Sequence, residues 1–176
     1  RRKVYEGGGK LLDVGCALGF FAKVAQDDGF DAYGVDISKY AVREGRKLLG
    51  TKILVANIEE KMPVPSNFFD IITHWDVLEH LKHPDSFLKI ASRVLKQNGL
   101  IFIRTLNYEC LTARLMRENW LQIDPLHVTY KITIAALKRW LARARLKESE
   151  IFTQDIYLKP FPNRMKFVEK LLRYQI

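Results

Sequence analysis

Short apolar runs and amphipathic stretches alternate along this chain, separated by glycine, proline and polar residues. Residues 10–14 (KLLDV), 32–36 (AYGVD), 52–56 and 68–75 (FFDIITHW) are compact apolar runs of strand length. Between and after them, residues 20–28, 39–49 and 85–96 repeat their apolar positions with a helical period. In the last of these, Phe87, Leu88, Ala91, Val94 and Leu95 share one side. Gly29, Gly50 and the pair Asn98-Gly99 are the expected helix stops. Ser38 and Thr133 are the expected N-caps.

A fifth strand is expected over 100–105, a helix over 109–117 and another over 133–144, whose apolar stripe is Leu137, Trp140, Leu141 and Ala144. Residues 148–157 alternate like a sixth strand, and 163–174 read as a last amphipathic helix. Strands alternating with helices predict an α/β fold with a doubly wound, mostly parallel sheet. A seventh strand is not evident, so the C-terminal end of that sheet is expected to be incomplete. Residues 1–10 read as a polar lead-in with a flexible Gly7-Gly8-Gly9, and 59–67 as a loop punctuated by Pro63 and Pro65. All 176 residues are expected to form one domain, with 108–130 its least patterned stretch.

The candidate chemistry begins at residues 11–19, LLDVGCALG. A buried strand, a glycine turn and a helix start make a ligand cradle. Glycine lets the backbone turn and lets a ligand approach closely, and the helix start offers unpaired N–H groups. A dinucleotide fingerprint starting at Gly15 needs glycines at 17 and 20, where Ala17 and Phe20 stand, and no Gly-Lys-Ser/Thr ending of a phosphate loop is present. What remains is D-x-G-x-x-x-G, with Asp13 inside the strand. Asp36, at the end of the second strand and 21 residues after Gly15, is placed to accept the two ribose hydroxyls of an adenosine. Ser38 can cap the helix that follows, which leaves Asp36 for that role.

Apolar content of 48% and charged content of 28% are those of an ordinary globular chain. No apolar run has the length of a membrane span, and no signal peptide is visible. Cys16 and Cys110 have neither disulfide-framework nor metal spacing; Cys16 reads as a small turn residue and the pair fits a reduced, cytoplasmic setting. The net charge of +9 is concentrated late, with eleven Lys/Arg against four Asp/Glu over 131–176. A nucleic-acid partner is permitted by this charge but not favoured, since aromatics are not interleaved with it in any known module. No oligomeric state follows from these features.

The D-x-G-x-x-x-G stretch resembles motif I of the class I S-adenosylmethionine-dependent methyltransferases, with Ala17 in place of the middle glycine. Further on, Leu78-Glu79-His80, Asn98-Gly99, Asn119-Trp120 and Pro125-Leu126-His127-Val128 are similar, in order, to the branch that includes the ubiquinone-biosynthesis O-methyltransferases. The resemblance covers about residues 10–145. It implies a Rossmann-like methyltransferase fold, with S-adenosyl-L-methionine as cofactor and S-adenosyl-L-homocysteine as product. It implies a cofactor site drawn from Asp13, Gly15, Cys16, Ala17, Gly19 and Phe20 at the first strand end, with Asp36 and Ile37 at the second. Asn57 and Ile58 would meet the adenine, and Trp75 and Asp76 would lie beside the methionine portion. A small-molecule acceptor, quinone- or lipid-like or a sugar, is expected, with methylation on oxygen. RNA or protein methylation, or a non-catalytic cofactor-binding subunit, are the alternatives. His127 is the candidate general base because imidazole titrates near neutrality, Glu79 is the second candidate, and 108–130 is the expected lid or acceptor loop.

Overall fold

The computed structural model of the chain describes residues 8–50, 52–120 and 128–153. Within them, five parallel strands form one sheet in the order β3-β2-β1-β4-β5. The strands are β1 (Lys10–Val14), β2 (Asp31–Asp36), β3 (Lys52–Val55), β4 (Phe69–Trp75) and β5 (Leu95–Arg104). The helices are α1 (Phe20–Asp27), α2 (Lys39–Leu49), α3 (Pro84–Val94), α4 (Leu111–Met116) and α5 (Ile134–Arg143). Strand order reverses between β1 and β4, which opens a crevice at their carboxyl ends.

Alternation along β1 sends successive side chains to opposite faces. Leu12 and Val14 join Val35 and Ile72 in the main core, under Phe87, Leu88, Ala91 and Val94 of α3. Leu137, Trp140 and Leu141 of α5 pack against the same core, as the stripe predicts. On the opposite face Leu11, Ala32 and Ile71 pack with Ala22 and Ala25 of α1. Val42 of α2 meets Ile53 and Cys16. Helices thus cover both faces, which is the doubly wound arrangement.

The caps are local chemistry. Ser38 Oγ accepts the Ala41 N–H at 3.1 Å and Thr133 Oγ1 accepts that of Ala136 at 3.1 Å. Gly50 closes α2 at φ +57°. A third end differs from expectation. The helix expected over 85–96 stops at Val94, and Leu95 is already extended and paired with Phe69. The ladder then breaks and resumes at Ile71 opposite Leu100. Asn98, at φ +68°, turns the extra residues instead of stopping a helix. Lys96 Nζ ties this bulge to the Asp70 carboxylate at 2.8 Å.

The helix expected over 109–117 is reduced to α4 followed by a 3₁₀ turn at Arg117–Asn119. Asn107 Oδ1 accepts the Glu109 N–H, and Cys110 Sγ accepts that of Ala113, so the chain is still turning at 107–110. Residues 148–153 carry no strand pairing. The rest of the expected sixth strand, the helix expected over 163–174, and residues 1–7 lie outside the described residues.

Candidate functional site

Backbone conformation builds the first wall of the crevice. After Val14, Gly15 takes φ +69°, Ala17 +47° and Gly19 +77°. A Cβ on Gly15 would stand 2.3 Å from Val77 Cγ2, so a side chain is excluded there by space as well as by conformation. Gly19 is the N-cap of α1 and brings no side chain to cap it, which leaves that helix start to a ligand. Phe20 follows and is exposed.

The middle residue of the loop, Ala17, occupies a left-handed conformation that glycine enters without penalty. An alanine there costs roughly 1 kcal/mol. Ala17→Gly is therefore expected to raise the melting midpoint by about 1–3 °C after the added unfolded-state entropy is deducted. Thermal denaturation checks it, and an unchanged or lower midpoint would show that the loop does not strain alanine.

Asp36 forms the second wall. Its Oδ2 accepts the Ala17 N–H at 2.9 Å and its Oδ1 accepts the Ser38 N–H at 2.8 Å. The carboxylate thus bridges the glycine loop and the start of α2, half-buried at the crevice. Each oxygen keeps a second lone pair for a ligand hydroxyl. Ile37, beside it, is 69% exposed, which leaves its side chain open to a flat apolar ligand.

Asp13 lies beneath the loop on the α1 face and is 2% exposed. Its Oδ1 accepts the Thr73 hydroxyl at 2.9 Å. Burial pushes its carboxyl up to about 7, against the Thr73 hydrogen bond, with the charge of Asp36 adding to the rise. The residue supports the loop from below and does not reach the crevice. Cys16 is buried, and burial pushes its thiol up to about 12, so it stays protonated.

At the third strand end the residues are turned otherwise than expected. Asn57 Oδ1 accepts the Glu59 N–H and its Nδ2 donates to Glu60 at 2.8 Å, so its amide is turned into its own loop. Ile58 is buried in the main core beside Met62 and Leu81. The adenine contacts expected of these two are replaced by loop closure and core packing.

The carboxyl ends of β4 and β5 form the far side. Trp75 packs on Phe21, from the first turn of α1, with ring centroids 5.2 Å apart. Asp76 takes φ +53° and pairs through both carboxylate oxygens with Arg104, Nε to Oδ1 at 2.8 Å. Its expected cofactor contact is thereby occupied by an ion pair, and Arg104 is a residue at this strand end that the sequence pattern did not single out. Leu78–His80 form a 3₁₀ turn. Glu79 within it is 2% exposed, and its carboxylate accepts the Thr105 hydroxyl at 2.7 Å. Its backbone carbonyl accepts the Thr129 N–H at 2.8 Å. Glu79 is thus a tether between turn, strand end and returning chain, and not a base open to solvent. Tyr108 packs edge-on against the buried Trp120, and burial together with the Glu79 charge raises its hydroxyl. His127 lies outside the described residues. Among the described residues no cluster of metal-ligating side chains occurs, and no helix is long and apolar enough to cross a membrane.

An open parallel sheet with a glycine bend at its first strand end and a carboxylate at its second defines a Rossmann-like nucleotide-cradling domain. The chain belongs to the methyltransferase-domain family, whose model matches residues 3–147. It is 30% identical over 158 residues to a ubiquinone biosynthesis O-methyltransferase of Dechloromonas aromatica, covering 82% of this chain and 67% of the relative. It is 32% identical over 108 residues to the enzyme of that name from Photobacterium profundum, covering 57% of this chain and 45% of the relative. The chain thus spans between under half and two thirds of the length of these curated relatives. Among solved structures, an S-adenosylmethionine-dependent methyltransferase from Mesorhizobium loti superposes with a TM-score of 0.70 at 18% identity, covering 97% of this chain and 89% of that one. That likeness confirms the fold.

Proposed function

We propose that this domain binds S-adenosylmethionine and transfers its methyl group to an oxygen of a small-molecule acceptor, quinone- or lipid-like or a sugar. The activity for which the relatives are named supports the acceptor class. The observation that carries the cofactor reading is the Asp36 carboxylate bonded to the Ala17 N–H, which joins the two strand ends into one cradle. The residues present fit the group: a loop that excludes a Cβ at Gly15, an uncapped helix start at Gly19, and a rim carboxylate with lone pairs to spare.

In this reading the Gly15 and Ala17 carbonyls and the open helix start after Gly19 receive the amino-acid portion, and Asp36 receives the ribose hydroxyls. Ile37 walls the adenine, and the Trp75 ring faces the sulfonium, whose charge an aromatic face favours. The bound cofactor supplies an activated methyl and a neutral leaving group. The chain's own task is to hold the acceptor oxygen in line and to remove its proton. His127 is the proposed base, and Glu79 fixes the turn against which the acceptor packs. Segment 108–130, tied internally by Tyr108 on Trp120, is the proposed acceptor element. Two free thiols and the relatives' small-molecule chemistry agree with a reduced, cytoplasmic setting.

Titration calorimetry with S-adenosylhomocysteine tests this. Binding is expected, and Asp36→Ala is expected to weaken it about tenfold, ~1.4 kcal/mol. Absence of heat from the intact chain at high concentration would overturn the reading. An undiminished affinity in Asp36→Ala would remove the ribose role.

A further inference from the structure

We propose that Arg104 is a positioning residue for the cofactor loop, acting through Asp76 and Val77. The inference rests on the cofactor reading above. Arg104 ends β5 and stands in register with Trp75, the last residue of β4. Its backbone oxygen accepts the Asp76 N–H at 2.9 Å, while its guanidinium grips both oxygens of the Asp76 carboxylate. The same residue is thus held by main chain and side chain together.

That double hold matters because of the conformation it fixes. Asp76 takes φ +53°, which L-residues rarely adopt, and a two-pronged guanidinium–carboxylate pair specifies direction as well as attraction. The next residue, Val77, then sets its Cγ2 in the space that a side chain on Gly15 would need, only 2.3 Å from where a Cβ would lie. Gly15 is in turn bonded from its N–H to the Val35 carbonyl at 2.8 Å. A displacement at Arg104 therefore passes through two residues into the glycine bend of the cradle. On the other side of the same strand end, Trp75 rests on Phe21 in the first turn of α1. The edge strand β5 in this way supports both halves of the cofactor cradle, although it contributes no side chain to the ribose end.

The side chains of Arg104 and Asp76 are 36% and 42% exposed. A pair so exposed adds little to global stability and is weakened by salt. Its effect lies in the fraction of molecules whose loop is ready to bind, and a smaller ready fraction lowers the apparent affinity in proportion.

The test is S-adenosylhomocysteine affinity, measured by calorimetry at low and high salt, with melting midpoints recorded alongside. Arg104→Met and Asp76→Asn are each expected to weaken binding about fivefold, with the double variant no weaker than either single one. Asparagine still tolerates the left-handed conformation at 76, so it isolates the charge. Arg104→Lys, which cannot grip both oxygens, is expected to restore only part of the loss. The parent's affinity should fall with salt, and that of Arg104→Met should not, a response a merely structural contact would not produce. Unchanged affinity in Arg104→Met, or losses that add in the double variant, would overturn the proposal. Should Arg104→Met not fold, Asp76→Asn and Arg104→Lys decide it by the same readings. Failure of the parent itself to bind would instead overturn the cofactor reading.

Discussion

His74→Leu is expected to stabilise the chain by about 1–3 kcal/mol at pH 7 and to remove the contribution of this imidazole that is lost in acid. His74 is fully buried in β4, with its ring edge-on to Phe87 at 4.6 Å, and neither ring nitrogen meets a hydrogen-bond partner among the described residues. Leucine has nearly the volume of histidine, so the core need not be repacked. Burial lowers the imidazole from 6.5 to about 3. The unfolded chain therefore binds a proton below pH 6.5 that the folded chain refuses until about pH 3. Stability from this group is complete above 6.5 and falls as the pH drops toward 3, by about 2 kcal/mol between pH 7 and pH 5. Urea denaturation of parent and variant at both pH values measures it. A variant less stable than the parent at pH 7 would mean that the ring has a partner, such as a buried water.

Much of the fold could be read from residue order because its signals are local. Lys10–Val14 is bounded by a glycine on either side, and Lys39–Leu49 by a serine that caps and a glycine that turns left-handed. No distant contact is needed to place such ends. The end of α3 is different. Leu95 is in phase with the apolar side of the helix and is equally suited to begin a buried strand. Pairing with Phe69 decides between these uses, and that contact spans 26 residues. A helical period cannot show it. Likewise, Asn98-Gly99 announces a turn without saying which element it interrupts.

The candidate site divides along the same line. The places of Gly15, Gly19 and Asp36 at the crevice were legible because they follow from backbone conformation and from position at a strand end. Asn57 and Ile58 were not, because position alone does not say where a side chain points. Glu59 and Glu60, just after Asn57, were the available hint of a self-bonded loop. Asp76 and Arg104 lie 28 residues apart, and only strand order brings them together. The one signal in the sequence was a single arginine closing the apolar run Leu100 to Ile103 opposite an acidic residue after strand four.

Asp13→Asn is expected to give a pH dependence opposite in sign to that of His74→Leu. Burial raises the Asp13 carboxyl from 3.8 to about 7. The folded chain therefore holds a proton between those values that the unfolded chain releases. Stability from this group is complete below pH 3.8 and is lost as the pH rises through 7, by about 2 kcal/mol between pH 5 and pH 7. This is opposite in sign and near in size to the effect of His74, so the two offset each other in the parent over that interval. Removing either exposes the other. Asp13→Asn, still able to accept from Thr73, should lose about 2 kcal/mol on going from pH 7 to pH 5 through His74. His74→Leu should gain about as much through Asp13, and the double variant should be nearly flat. The two residues lie on opposite faces of the sheet, so their effects should add. Urea denaturation of the four proteins at pH 5, 6 and 7 distinguishes this from a generally pH-insensitive fold. Parallel profiles for all four would mean that neither group is buried in the state described, and the cradle that Asp13 supports would lose its foundation.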